Sequence, residues 1–570
     1  MSKSDTRERI LNFISSHPYL CAFVACFIAH TVTFVNDGLL PTNTFIISTV
    51  FVGILALYTV KHYIKPKKYE KIIIGVAMVG AVLLVAFLAY TYRDFEYKSI
   101  YHILIGFAIA VILCSFLKDC HDREKVIVIL IIALSFVIKF YYVYKTSMYT
   151  RQHDLGAFNT EHGHLSYIQY IYDNKDLLDK DPRPYWQYYH PPLHHIISAV
   201  WMWINLNIFN TGINPAREGI QTLTLFYSMV ITITSYKILK HFNLKKMALY
   251  ASLIIVAFHP TFILLSGSVN NDILSVALMM LSVLFALEWA KEPSFKNIIK
   301  LSFAIGFAMM AKIATAIVAI PIAIVMLTVF IKKCKTNGKE LVLQFATLGV
   351  ISFPLGLGYQ LRNYAKFRMP LTYVQELSKD IDQFLGEGNF IERITDFSQH
   401  QWEYEFLAWE WNSNVGYNET NPLIALLKTA IFEESIREGT FPRGTAAALL
   451  STSLFWISVA IAAIAFVAMI IMLIRKGSLD INGKVLFGVF YVASMISYYK
   501  MAHDYPFVCT ISMRYVTQTI IIGALFLGVF MEKLKEKNTL ANKIINIALL
   551  SASILFAALS TGAYMIVSGA

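Results

Sequence analysis

Long apolar runs separated by short polar segments fill most of this 570-residue chain. A helix that crosses a bilayer needs roughly 20 apolar residues, so the runs predict about fifteen membrane-spanning helices. We place these helices at residues 19–36, 44–62, 72–91, 99–117, 126–146, 218–236, 248–266, 273–290, 299–312, 314–331, 341–359, 448–473, 485–501, 515–531 and 544–566. The segment 299–331 is short for two crossings and contains Lys312 and Pro321, which favours a tilted or partly re-entrant hairpin.

One further apolar stretch, residues 190–207, could be counted as a span. Counting it would turn the basic stretches 237–247 and 331–340 to the outer side, against the usual enrichment of Lys and Arg in cytoplasmic loops. Trp201 and Trp203 suit the level of the lipid headgroups. We therefore predict an interfacial helix at the outer surface.

The positions of Lys and Arg predict the orientation. They gather in short segments between the apolar runs, and placing those segments inside puts the N-terminus in the cytoplasm. Two long outer loops result, at residues 147–217 and 360–447. We divide the chain into an N-terminal four-helix membrane module (1–125), a core with the first outer loop (126–359), the second outer loop (360–447) and the C-terminal membrane helices (448–570).

Composition supports an all-α polytopic membrane protein. Hydrophobic residues make up 56% of the chain and charged residues 15%, whereas soluble proteins carry about 25% charged residues. The net charge of +12 does not point to nucleic acid as a partner, because the basic residues lie in short loops between spans. Of the six cysteines only Cys509 faces outward in this topology, so no disulfide framework is expected.

The first outer loop carries the clearest candidate for acid–base chemistry. Asp154 lies just beyond the span 126–146, followed by Glu161 and His164. If this stretch is helical, Asp154 and Glu161 share one face. A carboxylate there can act as a general base toward a hydroxyl. The alternative is a solvated loop acid or a helix N-cap, a position that Asp favours.

Five histidines in the same loop raise the question of zinc; they are His162, His164, His190, His194 and His195. A zinc site needs three or four ligands at fixed geometry. His194 and His195 are adjacent, so on a helix their side chains point about 100° apart. We expect interfacial or substrate-contacting histidines rather than a metal site.

Several short motifs together resemble the GT-C superfamily of membrane glycosyltransferases, with the strongest likeness to protein O-mannosyltransferases and the lipid A aminoarabinose transferase. The resemblance covers about residues 126–531. In chain order the matching features are His153-Asp154 after a helix, the Pro-Pro-Leu helix start at 190–193, Arg217 opening a span, Asn271-Asp272 at an outer loop, Gly306 to Lys312 in a GFAMMAK stretch, Arg362-Asn363 after a later span, and Arg514-Tyr515 before the penultimate span.

The resemblance implies a GT-C fold and an inverting glycosyltransferase that moves a sugar from a polyprenyl-phosphate donor to a glycan, lipid or protein acceptor. The reaction would take place on the outer face of the membrane, in glycan biosynthesis of the cell envelope. The sequence shows no eukaryotic retention signal, which favours a bacterial plasma membrane. Asp154 would be the catalytic base. Substrate contacts would come from Glu161, His164, His190, Asp272, Arg362, Arg514 and Tyr515.

Alternatives stay open for several charged residues. Asp272 is equally explained as a cap of the helix 273–290, and Arg514 as a partner of Asp504. Arg217 and Lys312 are better explained by lipid contact or snorkelling than by phosphate binding.

The cofactor is left open. Many relatives carry Asp-Glu or Asp-x-Asp where this chain has His153-Asp154, so no residue is assigned to a metal. A divalent metal remains an open question.

A second function from another class is a lipid-linked-saccharide flippase or transporter, and a third is a polysaccharide polymerase or ligase. A transport path would place charged residues in the membrane, whereas Asp154 and Asp272 map to outer loops. No matching pair of inverted halves is visible in the sequence. Both features favour the transferase.

Overall fold

The computed structural model describes residues 123–408, 419–537 and 539–569. The four spans of the predicted N-terminal module, which end at residue 117, lie outside these residues.

The described part of the chain is helical. The one β-bridge recorded there joins Phe384 to Phe507. The α-helices are α1 Arg123–Lys145, α2 His164–Asn174, α3 Leu193–Asn207, α4 Ile213–Glu218, α5 Gln221–His241, α6 Lys246–Ala257, α7 Pro260–Leu264, α8 Asp272–Lys291, α9 Phe295–Ala311, α10 Ala319–Phe367, α11 Phe390–Thr395, α12 Pro422–Phe432, α13 Ala446–Ile474, α14 Ile481–Asp504, α15 Gln518–Lys535 and α16 Leu540–Gly569. The predicted all-α class is confirmed.

Seven of the described helices are long and apolar enough to cross a membrane, or up to nine if each of two bent pairs forms one span. The bent pairs are α6 with 260–267, and 508–515 with α15. Every predicted span from residue 126 onward falls on one or more helices. The chain is a multi-pass membrane protein, while the total of about fifteen crossings stays a prediction.

Helix α10 folds back on itself at Asn337, whose backbone angles (φ −129°, ψ 21°) are not helical. The rings of Phe330 and Phe345 lie 5.8 Å apart between centroids, although a straight helix would separate these residues by about 22 Å. The two arms correspond to the predicted spans 314–331 and 341–359.

Two glycines allow α9 and α10 to pack closely. A Cβ atom on Gly306 would lie 2.9 Å from the Cβ of Leu355, and one on Gly356 would lie 3.0 Å from the Cβ of Met309. Helix α9 ends at Ala311, and Lys312 is extended (φ −155°, ψ 121°). The GFAMMAK stretch therefore packs closely against α10 and ends with Lys312 just outside the helix.

The first long connection, residues 146–212, builds its own small core. Leu165, Tyr167 and Ile168 of α2 are fully buried there against α3. Helix α3 has 15 residues, about 22 Å, which is short of the roughly 30 Å hydrocarbon layer. This length agrees with the prediction that 190–207 is not a span.

Residues 154–161 are not helical, so Asp154 and Glu161 do not share a helix face. Residues 147–163 form bends and turns, and the helix begins only at His164. Leu155 and Phe158 from this stretch are buried in the small core, so packing rather than helical periodicity decides which side chains face inward.

The two long connections and the segment between α14 and α15 meet at one end of the bundle. Arg183 Nη2 in the first connection donates to the carbonyl of Phe367 at the end of α10 (3.1 Å). The amide of Leu385, in the second long connection (368–445), donates to the carbonyl of Pro506 (2.9 Å). Both long loops, predicted to share one side of the membrane, therefore lie at the same end of the described structure.

Candidate active site

Four charged side chains from four distant parts of the chain meet at that end. Arg514 Nη1 lies 3.3 Å from Asp154 Oδ2 and 3.7 Å from Asp272 Oδ2. Lys312 forms a salt bridge with the other carboxylate oxygen of Asp272. Two carboxylates and two cations thus alternate in space, and their charges balance. We call Asp154, Asp272, Lys312 and Arg514 the charged cluster.

Asp154 is held in place by its backbone. Its φ is +56°, a left-handed conformation that Asp tolerates better than most residues. Its carbonyl accepts a hydrogen bond from the amide of His164 (3.1 Å). Gly156 and Gly163 also have positive φ, and a Cβ on Gly163 would lie 2.4 Å from the Cα of Gly156. This close approach folds the turn that presents Asp154.

Exposure distinguishes the two acids of the charged cluster. The Asp154 side chain is 34% exposed, against 3% for Asp272 and 6% for Arg514. Burial raises the pKa of Asp154, but Arg514 and His153 outweigh it, and the pKa lies below its ordinary value. Asp154 is therefore ionised and is the acid that reactants can reach.

Asp272 opens α8 but does not cap it. The N-cap residue is Asn271, which makes no side-chain cap bond. The Asp272 carboxylate faces Lys312 and Arg514 instead. For Lys312, the expectation of lipid contact or snorkelling is wrong: it reaches Asp272 because α9 stops one residue earlier.

Arg514 sits in a short turn before α15. Its Nη2 donates to Tyr515 Oη (2.9 Å), and its Nε is buried without a hydrogen-bond partner among the described residues. The alternative pairing with Asp504 is wrong, because Asp504 pairs with Lys500 (2.6 Å) and His503 (2.9 Å). Arg514 is therefore held by Asp154, Asp272 and Tyr515 rather than by Asp504.

Histidines line one side of the site. His164 Nδ1 lies 2.8 Å from His195 Nε2, and the His164 ring stacks on His190 with centroids 5.8 Å apart. Burial, followed by the charge of Lys312, lowers the pKa of His190 to about 3. Burial also keeps the pKa of His164 well below its ordinary value. These rings are neutral, so they can offer hydrogen bonds without adding charge.

A second polar group adjoins the charged cluster and consists of His153, Glu433 and Glu434. His153 forms a salt bridge with Glu433, and its Nδ1 lies 3.7 Å from Glu434. Burial and the charge of Arg514 oppose protonation, but the two carboxylates outweigh them and raise the pKa of His153 to about 9. Burial raises the pKa of Glu434 as well, and Glu433 adds to this effect.

The ligand atoms of these three residues lie within 4.8 Å of one another, which suits a divalent ion by distance. Ligating histidine must be neutral, however. The salt bridge with Glu433 favours the protonated form of His153. The group fits a metal only after His153 loses its proton, so metal binding would strengthen as the pH rises.

Some predicted site residues lie away from the charged cluster. Glu161 is exposed on its loop. Arg362 donates to the carbonyl of Leu178 (2.7 Å) and lies 3.5 Å from Asp179. These contacts join α10 to the first connection. Tyr515, by contrast, lies beside the cluster, with Lys312 Nζ 5.2 Å from the centroid of its ring.

Sequence reasoning did not assign roles to His153, Glu433 and Glu434. One signal was available, since His153 directly precedes Asp154. A pair of adjacent glutamates directly after the apolar helix α12 was another. Neither signal reveals that the two segments touch.

The site thus combines an exposed, ionised carboxylate with two cations that can accept an anionic group, at one end of a membrane helix bundle. The model of the family described as dolichyl-phosphate-mannose-protein mannosyltransferase matches residues 190–355. The match confirms the predicted resemblance, and with it the class of enzyme: the chain is a membrane glycosyltransferase.

No curated protein sequence matches the chain significantly. Among solved structures, the crystal structure of ArnT from Cupriavidus metallidurans in the apo state is similar to 77% of this chain over 77% of its own length. The two are 12% identical with a TM-score of 0.33.

Proposed function

We propose that the enzyme is an inverting glycosyltransferase that transfers a sugar from a polyprenyl-phosphate donor to an acceptor hydroxyl on the outer face of the membrane. The observation that carries the proposal is the contact of Asp154 with Arg514 inside a charge-balanced cluster. A reachable base lies directly beside a guanidinium that can bind phosphate once Asp154 moves aside, as a transfer away from phosphate requires.

The donor phosphate would bind between Arg514 and Lys312. Both cations face carboxylates, so an arriving phosphate competes with those carboxylates for the same N–H donors. Guanidinium binds phosphate oxygens with two parallel hydrogen bonds. Because Asp154 is the more exposed acid, it is the partner that the phosphate displaces from Arg514.

This displacement couples donor binding to activation of the base. With Arg514 engaged by phosphate, Asp154 loses its nearest positive charge, and its pKa rises toward the ordinary range for Asp. The carboxylate then becomes a stronger base at the moment when the donor is present. Asp272 stays buried against Lys312 and positions that lysine.

In the chemical step, the oxygen of the acceptor hydroxyl attacks the anomeric carbon while its proton passes to Asp154. The bond between the anomeric carbon and the phosphate oxygen breaks, and its electron pair leaves with the polyprenyl phosphate. Arg514 and Lys312 stabilise the charge that develops there. Attack opposite the leaving group inverts the anomeric configuration.

The flippase alternative is less well supported, because Asp154 lies in the first long connection rather than within an apolar helix. The acceptor would be a glycan, a lipid or a protein. A divalent ion, if present, would be held by His153, Glu433 and Glu434, and the proposed step proceeds through the cations of the cluster.

The test is donor turnover by the purified protein in lipid discs. A panel of polyprenyl-phosphate sugars is offered with crude envelope extract as acceptor, and released polyprenyl phosphate is followed by mass spectrometry. Asp154→Asn should lower release by about 100-fold or more. Asp173→Asn, an exposed acid of α2, is the matched control and should keep normal release.

The outcomes are distinct. Release that depends on Asp154 identifies the sugar and supports the proposed base. Release that is unchanged in Asp154→Asn removes Asp154 from the mechanism. No release from any donor overturns the proposal that the donor is a polyprenyl-phosphate sugar.

A further inference from the structure

The second long connection and the first turns of α13 enclose a cavity of about 300 Å³. This volume lies at the lower end of the range for small-molecule sites. The cavity is lined by residues of 402–406 and 438–443 on one side and of 448–456 on the other. None of the charged cluster belongs to its lining, so it is a separate feature of the described structure.

Aromatic rings form its walls. Trp402 and Trp456 are nearly parallel, at 21°, with centroids 6.0 Å apart. Trp456 is 49% exposed. Phe406 stacks on Phe441 (5.8 Å) as the floor. Flat apolar faces of this kind suit the C–H faces of a pyranose ring.

Three glutamates, Glu403, Glu405 and Glu438, line the same cavity. Glu405 is fixed by hydrogen bonds from Ser451 Oγ (2.6 Å) and Thr452 Oγ1 (3.1 Å). Glu438 is paired with Arg443 (2.5 Å). Ionised carboxylates are acceptors only, so this lining suits a ligand rich in O–H donors.

The charge balance of the lining selects among candidate ligands. Three glutamates against one arginine, Arg443, oppose an anionic group. That arginine is already engaged, because it also lies over the ring of Tyr404, 4.4 Å from its centroid. A phosphate-bearing lipid headgroup is therefore disfavoured, and a neutral polyhydroxyl ligand with an apolar face is favoured.

We propose that this cavity is a saccharide-binding subsite, and that it holds a non-reacting sugar of the acceptor. The assignment to the acceptor rests on the proposed function. The acceptor class that follows is a glycan or glycolipid with more than one sugar unit, since one sugar occupies the subsite while another presents its hydroxyl to Asp154.

The subsite is joined to the catalytic side through α12. The ring of Phe432, the last residue of α12, lies 4.7 Å from the ring of Phe406 in the cavity floor. The next residue, Glu433, contacts His153 beside Asp154. One short segment therefore contacts both the sugar subsite and the acid–base site, so the two are neighbours.

The test is direct binding of soluble sugars to the full-length protein in lipid discs, without donor. Saturation-transfer NMR is recorded with a panel of methyl hexopyranosides and their disaccharides. A Kd of about a millimolar is expected for one ring of this size. Trp402→Ala should weaken binding at least about tenfold, and Glu405→Gln should weaken it severalfold without removing a wall of the cavity.

Trp203→Ala is the matched control, because Trp203 is an exposed tryptophan of α3 outside the cavity. It should bind the sugars normally. Size-exclusion profiles and thermal unfolding show whether each variant is folded. If Trp402→Ala fails to fold, Glu405→Gln carries the test alone.

Sugar binding that Trp402→Ala or Glu405→Gln weakens supports the subsite. Binding that is equal in all variants, or absent up to about 50 mM, overturns it. Binding of phosphocholine instead of sugars overturns it in favour of a headgroup site. Because no turnover is required, a chain without transferase activity could still pass this test, which keeps failure of the subsite distinct from failure of the proposed function.

Discussion

Arg514 is shared by two carboxylates of very different exposure, and this asymmetry gives the site its chemistry. Asp272 is nearly inaccessible and already neutralised by Lys312. Asp154 is reachable and contacts Arg514 through a single long hydrogen bond of 3.3 Å. A buried cation that loses one partner must gain another. An anionic substrate group is therefore the natural replacement for Asp154.

Replacing Arg514 by lysine keeps the positive charge but removes the planar guanidinium with its parallel N–H donors. We expect Arg514→Lys to raise the KM for donor by roughly tenfold, because one ammonium cannot make the two parallel bonds of a guanidinium. Steady-state kinetics against donor concentration measures the effect. Arg362→Lys is the comparison, since Arg362 binds the Leu178 carbonyl. An equal rise in both variants would contradict the assignment of phosphate binding to Arg514 alone.

His153 makes stability depend on pH in the alkaline range. Its pKa in the folded protein, about 9, lies above the ordinary value of about 6.5, so protonation stabilises the folded state. This contribution is fully present below about pH 6.5 and is lost as the pH rises through about 9. Its upper bound is on the order of 3 kcal/mol.

Thermal unfolding between pH 6 and about 9.5 tests this dependence. The apparent melting temperature should fall across that window. The double variant His153→Gln, Glu433→Gln removes both partners of the salt bridge and should flatten the dependence. Glu433 has a lowered pKa of about 2. Its titration therefore changes stability only at acidic pH and leaves the dependence above pH 6 unaffected. An equal slope in the double variant would contradict the raised pKa of His153.

At the scale of elements, the turn before α2 matters most, because it fixes Asp154 relative to the bundle. Gly163 is the N-cap of α2 with φ +92°, and its Cα faces Gly156 too closely for any side chain. The backbone of the turn is thus locked to the start of α2. Positioning of the base comes from helix α2 rather than from a flexible loop.

Gly163→Ala should therefore destabilise the protein by more than about 2 kcal/mol and reduce turnover, since the added Cβ meets backbone atoms at 2.4 Å. Gly386→Ala is a matched control: its φ is similar, +89°, but nothing lies within 4 Å of the added Cβ. That substitution should lower the free energy of unfolding by only about 1 kcal/mol. Thermal unfolding and turnover measure both, and equal losses would exclude close approach as the cause.

Elements and site were predictable from the sequence to different degrees. Apolar length located the spans from residue 126 onward, because bilayer thickness sets a local rule. Local reasoning also placed Asp154 and Asp272 at helix ends. The partner of Arg514 could not be derived this way, since 360 residues separate it from Asp154. Likewise, the link from Lys312 to Asp272 depends on how α8 and α9 pack, which no local pattern encodes.

At the scale of the whole molecule, the two long connections and the turn before α15 build one functional end. Asp154 comes from the first connection, Glu433 from the second, and Arg514 from the turn. The opposite end contains the reversal of α10 at Asn337. The site is therefore complete only when these three distant segments of the chain come together.

This arrangement predicts the sidedness of three exposed positions. In a variant whose six cysteines are replaced by serine, single cysteines are introduced at Asp173 in α2, Asp380 in the second connection and Lys335 beside the reversal of α10; all three are exposed. The first two lie at the functional end and must react alike. Lys335→Cys must react from the other side, because one arm of α10 separates it from that end.

Labelling intact cells with a membrane-impermeant maleimide shows whether the functional end faces the outside or the cytoplasm. The proposed outer-face reaction predicts that Asp173→Cys and Asp380→Cys react in intact cells, and that Lys335→Cys reacts only after permeabilisation. The reverse pattern would keep the fold but place the acid–base site in the cytoplasm, where the distribution of basic segments opposes it. A difference between Asp173→Cys and Asp380→Cys would contradict the fold itself, since contacts such as Arg183 with the Phe367 carbonyl require both connections on one side.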